Sequence, residues 1–187
     1  MGSILFKGDK KMAKALIEYL SLDQQYAKSA RQLCLDAIAE IFGFNYSSSW
    51  AYDLDYLSTD KDQYSAKRGG AFFVAIRDKI VVGAAGIRAF ATLTALPEMI
   101  VKRYQRPQLV STLMRAYVRK DHRRMGIGSE LTSLCEQAAC RLGYRYIYMH
   151  THRSFGLDPV DFWQRCGYTV ILREVDDSCT VHLEKGI

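Results

Sequence analysis

Between Leu113 and Thr151 the apolar pattern changes period twice, and no other stretch of the sequence constrains the fold as tightly. Leu113–Val118 reads as a strand, and Arg123-Arg124-Met125-Gly126-Ile127-Gly128-Ser129 after it reads as a glycine turn. Leu131, Leu134, Cys135, Ala138, Ala139 and Leu142 then recur on one helical face, and Gly143 predicts the end of that helix. Tyr146–Thr151 is rich in aromatic and β-branched residues and predicts a further strand. A strand, a turn, a helix and a strand in this order commit the middle of the chain to a sheet with a helix packed on it.

The flanks extend that sheet. Residues 14–20 predict a first strand, in a pattern that a helix also fits. Ala27, Ala30, Leu33, Cys34, Ala37, Ile38 and Ile41 follow helical spacing, with Asp23 as the N-cap and Gly43 as the stop. Trp50–Leu57 predicts a second short helix. After a Gly69-Gly70 turn, Ala71–Arg77 and Ile80–Ala89 predict a hairpin around Asp78-Lys79. Residues 90–110, with Pro97 and Pro107, read as a long connection of partly helical character, a kind that is usually functional or mobile. Asp158–Cys166 predicts a short helix with Pro159 in its first turn, and Val170–Leu172 with Cys179–Leu183 a closing hairpin over Asp176-Asp177. Hairpins on both sides of a strand–helix–strand unit predict an α+β fold on a mixed, mostly antiparallel sheet.

The 187 residues hold no internal repeat, low-complexity tract or proline-rich linker, which predicts one domain over 14–187. Residues 1–13 read as an N-terminal extension, in part a tag. The longest apolar stretches, such as Ile80–Ile87, are strand-sized and too short for a bilayer. Lysines at 7, 10, 11 and 14 leave no secretory apolar region, and Phe6 spoils a myristoylation signal at Met1-Gly2-Ser3. Cys34, Cys135, Cys140, Cys166 and Cys179 form no CxxC pair and have no His at ligand spacing. The expectation is free thiols in a reducing cytoplasm, with no disulfide framework, no metal and no membrane partner.

The net charge of +6 is concentrated. From Lys102 to Arg124 stand eight cationic residues (Lys102, Arg103, Arg106, Arg115, Arg119, Lys120, Arg123 and Arg124) and the single acid Asp121, so the rest is close to neutral. An excess this local suggests one anionic ligand site, with a nucleic-acid stripe as the alternative. The window ends in the Arg123–Ser129 turn, where glycines allow close approach and a helix start offers unpaired N–H groups. A pyrophosphate suits that place, with Arg123 and Arg124 adding charge-assisted contacts. The Rossmann spacing fails because Leu131 stands where its third glycine belongs, and there is no Gly-Lys-Ser/Thr for a P-loop.

Arg-x-x-Gly-x-Gly over Arg123–Gly128 resembles the acyl-CoA signature of the GNAT superfamily of N-acyltransferases. Leu113–Val118 resembles the family's splayed strand, which receives the pantetheine arm, and Tyr146–Thr151 the strand that follows. Phe162-Trp163-Gln164-Arg165-Cys166-Gly167-Tyr168 is similar to its aromatic-aromatic-x-x-x-Gly-aromatic segment. The motifs cover 112–168 and the layout 14–187. The resemblance implies a single GNAT-like domain with a splayed central strand pair and acetyl-CoA as acyl donor. It places Tyr117, Val118, Arg123, Arg124, Met125, Gly126, Ile127, Gly128, Ser129 and Trp163 against that donor. It also implies direct attack of an amine on the thioester, with the oxyanion held by the backbone N–H of Tyr117 or Val118. Many members carry a tyrosine where Trp163 stands, to protonate the departing thiolate. An indole has only an N–H and cannot serve as that acid, so Trp163 reads as a wall against the sulfur. A thiol of pKa ~8.5 is a tolerable leaving group without it; Tyr168, Tyr148, Ser154 and Thr151 are alternative donors.

His150 and His152 share one face of their strand, and His150 has the intrinsic range of a general base, the alternative being an ordinary hydrogen-bonded histidine. Cys166 reads as an inert thiol. In the family the early helices line the acceptor entrance. That places Tyr52, Asp53 and Asp55 on the acceptor side, in a stretch where Asp60 and Asp62 add to the acidity, and Glu98 joins them from the 90–110 connection. The same pattern fits a solvated acidic face. The 90–110 connection reads as a lid, a packing element or a dimer element. Three functions follow: an N-acetyltransferase for a primary amine on a small molecule, protein or peptide; a CoA-binding module without turnover; or an enzyme whose acceptor is aminoacyl-tRNA. Monomer and homodimer both stay open.

Overall fold

Seven strands form one sheet in the structure, a computed structural model that describes residues 16–43, 47, 51–152, 159–175 and 179–187. They are β1 (Glu18–Ser21), β2 (Ala71–Arg77), β3 (Ile80–Ala89), β4 (Val110–Val118), β5 (Tyr146–His152), β6 (Thr169–Arg173) and β7 (Thr180–Gly186). The order is β1-β2-β3-β4-β5-β7-β6, and every neighbouring pair is antiparallel except β4 and β5. Among the described residues, four α-helices flank the sheet: α1 (Gln24–Phe42), α2 (Glu98–Arg103), α3 (Ile127–Arg141) and α4 (Val160–Arg165). This is the α+β, mostly antiparallel architecture that the sequence pattern predicts.

Local chemistry sets the element ends. The Asp23 carboxylate accepts the Tyr26 N–H at 3.2 Å, and Gly43 closes α1 in the left-handed region. The β2–β3 hairpin turns on Asp78 and Lys79, both at positive φ (51° and 64°), the hand of turn that matches the twist of the strands. Strand alternation then sends β2 side chains to two cores. Phe72, Val74 and Ile76 meet α1 residues Ala30, Leu33 and Ile38, while Phe73 and Ala75 meet α3 residues Ile127, Leu131 and Cys135. Each fully buried Leu or Ile among these contributes roughly 1.5–3 kcal/mol. The two helices therefore lie on opposite faces.

Several expectations need correcting. In the stretch predicted as a helix over Trp50–Leu57, Ala51 is helical and Tyr52–Tyr56 form a 3-10 turn, while Trp50 lies outside the described residues. The first strand begins at Glu18, with residues 14 and 15 outside the described set, as is the Asp176-Asp177 turn of the closing hairpin. The 90–110 connection is a packing element. Phe90, Ile100 and Tyr104 bury against Val110 and Tyr148, and Arg103 and the Tyr104 hydroxyl both bond Glu184 on β7. No described helix is long and apolar enough to cross a membrane.

The β4–β5 pair positions the site. The two strands are hydrogen-bonded only where Val110–Thr112 face Tyr146–Tyr148. Beyond that, Leu113–Val118 and Met149–His152 run on without pairing to each other, so the centre of the sheet opens into a wedge.

Candidate active site

Backbone groups left over by the wedge have a definite direction. Arg119 donates its N–H to the Val82 carbonyl at 2.9 Å, so Arg119 and the residue two before it, Tyr117, belong to the hydrogen-bonded side facing β3. Alternation turns the N–H of Val118, paired in register with Gly83, toward the gap. The Val118 carbonyl agrees: it accepts the Arg123 Nε at 3.0 Å. The same alternation carries the N–H of Ala116 into the gap. The N–H groups turned to the gap are therefore those of Val118 and Ala116, while the Tyr117 N–H faces β3.

A bulge forces β4 away. Ala84 pairs with Tyr117 and Gly86 with Met114, so Arg115 and Ala116 together stand opposite Ala85. Arg115 occupies φ 56°, a region that costs a non-glycine residue of order 1–3 kcal/mol unless its surroundings hold it there. They do. Its Nε and Nη2 reach the two carboxylate oxygens of Asp53 at 3.0 and 2.6 Å, and the Tyr64 hydroxyl donates to the same carboxylate at 2.5 Å. The pair is buried, with side-chain exposures of 7% and 1%. Burial alone would raise the Asp53 pKa, but hydrogen bonds and charge from Arg115 prevail and hold it below the usual carboxylate value.

The wedge deepens into a cleft of about 900 Å³. One end is the start of α3, whose N-cap Gly126 sits at φ 83° and where no side chain caps the free N–H groups. Gly128 lets the wall close: a Cβ there would stand 3.2 Å from the Phe162 ring. Met125 is exposed, whereas Arg124, Ile127, Ser129 and Trp163 line the cleft. The uncapped N–H groups suit phosphate oxygens, and the cleft suits a long, narrow donor.

Arg123 lines the cleft as well and is tied into the protein. Beyond its bond to Val118, it grips Glu40 of α1 with Nη1 and Nη2 at 2.9 and 2.7 Å. It thus ties the free end of β4 to α1. Lys102 pairs with Glu98, Arg103 with Glu184, Arg115 with Asp53 and Arg119 with Asp121. Much of the basic window is thus paired within the chain, and Arg124 lines the cleft beside the helix start.

The proposed acid and the acceptor residues fall elsewhere. Tyr168 is buried against Trp163, 5.6 Å between ring centroids, and does not line the cleft. Burial first, then the Glu136 charge, pushes its hydroxyl well above the ordinary tyrosine value. Neither observation suits a donor to a thiolate in the cleft. Asp53 serves Arg115; Asp55 pairs with Arg31 at 2.7 Å; Glu98 pairs with Lys102 on the surface. The Tyr52 hydroxyl accepts from Gln63. None of the four lines the cleft. Cys166 is half-buried, and burial raises its thiol.

His150 and His152 do line the cleft. The His150 Nδ1 is buried without a hydrogen-bond partner among the described residues, and its ring centroid lies 6.1 Å from that of His182. Burial, then the neighbouring His182 and His152, lower its pKa to about 4, so the ring is neutral at neutral pH. Between its ordinary value of ~6.5 and about 4, an unfolded chain binds a proton here that the folded chain refuses. Stability therefore falls as pH drops through that window. His150→Gln should remove this part of the acid sensitivity, measured as the loss of urea midpoint from about pH 7 to about pH 5. An equal loss in variant and native chain would refute the assignment.

Sequence reasoning missed three contributors: Arg115 at the bulge, Ala116 as a donor, and Glu40 as the partner of Arg123. A faint signal existed for the first, since Arg115 is the one charged residue inside the strand Val110–Val118.

The sequence profile of the acetyltransferase (GNAT) family matches residues 35–168, and the chain belongs to that family. No curated protein matches it by sequence. Solved structures share its fold. A GNAT-family acetyltransferase from Staphylococcus aureus superposes with a TM-score of 0.69 at 18% identity, covering 91% of this chain and 99% of that one. The PaiA N-acetyltransferase of Thermoplasma acidophilum, solved in complex with coenzyme A, gives 0.66 at 17%, covering 92% and 99%. An acetyltransferase of Streptococcus agalactiae gives 0.66 at 15%, covering 91% and 98%.

Proposed function

We propose that the chain transfers an acetyl group from acetyl-CoA to a primary amine by direct attack within a ternary complex. The observation that carries this is the wedge between β4 and β5, with backbone donors of Val118 and Ala116 inside it and the uncapped start of α3 at its mouth. Acetyl-CoA supplies the activated acyl group. The N–H groups of Gly126–Ser129 and the Arg124 guanidinium suit its pyrophosphate. The Val118 and Ala116 N–H groups stand where a thioester oxygen gains negative charge, in a low-dielectric gap that strengthens such bonds. The new N–C bond forms as the C–S bond breaks, the sulfur leaves as thiolate, and the nitrogen loses one proton.

His150 suits the last event. With a pKa of about 4 it is a poor base toward a free ammonium, so the amine must arrive neutral. Once the N–C bond forms, the nitrogen becomes acidic and a neutral imidazole on the cleft wall can take its proton. Trp163, buried at the cleft, has no hydroxyl to offer. Departure as thiolate suits a leaving group of pKa ~8.5.

Continuous detection of released thiol, with acetyl-CoA and a panel of primary amines, tests the reading. Initial rates varied in both substrates should give intersecting lines. Parallel lines would overturn direct attack in favour of a covalent intermediate. Acetyl-CoA binding without any amine-dependent release would instead favour a binding module.

A further inference from the structure

Opposite the α3 side, the cleft has a second wall of different chemistry. Ile38 and Phe42 of α1, with Met114 and Tyr117 of β4, belong to the α1-side core and also line the cleft. Ile41 joins them there. On β5, His150 and His152 continue this wall, and the His152 ring meets Phe42 edge-on at 5.4 Å. Among the described residues, no aspartate or glutamate lines the cleft. Two acids that hold lining residues are engaged in doing so: Asp53 is 1% exposed under Arg115, and Glu40 is held by Arg123. Arg115 also lines the cleft, and its guanidinium is held by the Asp53 carboxylate.

That composition discriminates among amines. A polyamine or another polycation would bring at least one ammonium that does not react, and that group must lose water with no carboxylate among the described lining residues to receive it. An amine on an uncharged apolar or aromatic scaffold buries its skeleton against Ile41, Phe42 and Met114 and leaves nothing unpaired. The same apolar wall favours the neutral form of the one amino group present, which is the form that attacks. We infer that the acceptor is a small monoamine on an uncharged, apolar or aromatic skeleton, and that the α1-side wall excludes polycationic acceptors. The inference rests on the acyl-transfer reading above and specifies its substrate class.

The test compares kcat/KM for 2-phenylethylamine, spermidine and a short lysyl peptide in the thiol-release assay. The arylalkylamine is expected to exceed the other two by about tenfold or more. Ile41→Glu, which sets a carboxylate into the wall, should shift the ratio of spermidine to 2-phenylethylamine upward by about tenfold, a selectivity change that mere loss of stability cannot produce. Acetyl-CoA titration of the same variant checks that it is folded. Spermidine or the peptide matching the monoamine in the native chain would overturn the inference while leaving acyl transfer intact. An unchanged ratio in folded Ile41→Glu would overturn the role of the wall. No turnover of any amine despite acetyl-CoA binding would overturn acyl transfer, and this inference with it.

Discussion

Asp53→Ala should destabilise the chain by about 3–5 kcal/mol, the cost of leaving a buried charge without its partner. The lost carboxylate receives two bonds from Arg115 and one from Tyr64, and both members of the ion pair are nearly inaccessible. Water cannot replace it. Urea unfolding near pH 7 reads the full effect. Because Asp53 titrates below its ordinary value, its contribution is complete above the unfolded pKa of ~3.9 and disappears only as pH falls through the lower folded value. A loss under about 1 kcal/mol would show that the ion pair is not what holds this region. The double variant Asp53→Leu with Arg115→Met separates stability from site geometry. Replacing a buried pair by apolar groups of similar size is often neutral, so much of the stability should return. The positive φ at residue 115 would lose its anchor, however, and the acetyl-transfer rate should stay low. Recovery of both together would mean that the bulge does not need the ion pair.

This pair also marks where sequence reading stops. The Asp23 cap, the Gly43 stop, the Asp78-Lys79 hairpin and the glycine turn before α3 are local events, each written in a few adjacent residues. Periodicity carried the helix faces, and alternation put His150 and His152 on one side of β5. By contrast Asp53 and Arg115 stand 62 positions apart, and Glu40 and Arg123 stand 83 apart. Nothing local joins such partners, and a basic residue reads the same whether it meets a phosphate or a carboxylate of its own chain. For that reason the sequence alone does not show that Arg123 holds Glu40 or that Asp53 serves Arg115. The choice between the Tyr117 and Val118 N–H groups is open in the sequence for another reason. A one-residue bulge decides which N–H faces the gap, and Arg115 adopts its left-handed conformation through a tertiary contact rather than any glycine. Tyr168 followed the family pattern in position, but its ring turns into the core around Trp163.

Gly126→Asp should weaken acetyl-CoA binding about 100-fold while Gly126→Asn weakens it by only a small factor, measured by calorimetry on both variants. The comparison isolates charge. A Cβ on Gly126 would meet nothing within 4 Å, so neither side chain clashes with the protein. Both must accept φ 83°, and Asn and Asp tolerate the left-handed region better than other side-chain-bearing residues. The strain is therefore nearly equal in the two. What differs is a negative charge at the start of α3, where no side chain now caps the helix. A carboxylate there would satisfy the free N–H groups and the positive end of the helix dipole. It would occupy the groups that phosphate oxygens require, and repel those oxygens as well. Thermal stability of Gly126→Asp should accordingly be no lower than that of Gly126→Asn, even as affinity falls. Loss of binding with retained or improved stability is the signature of an anion site at a helix start. Equal affinities for the two variants would place the phosphates somewhere else, and Arg124 would then lack its proposed partner.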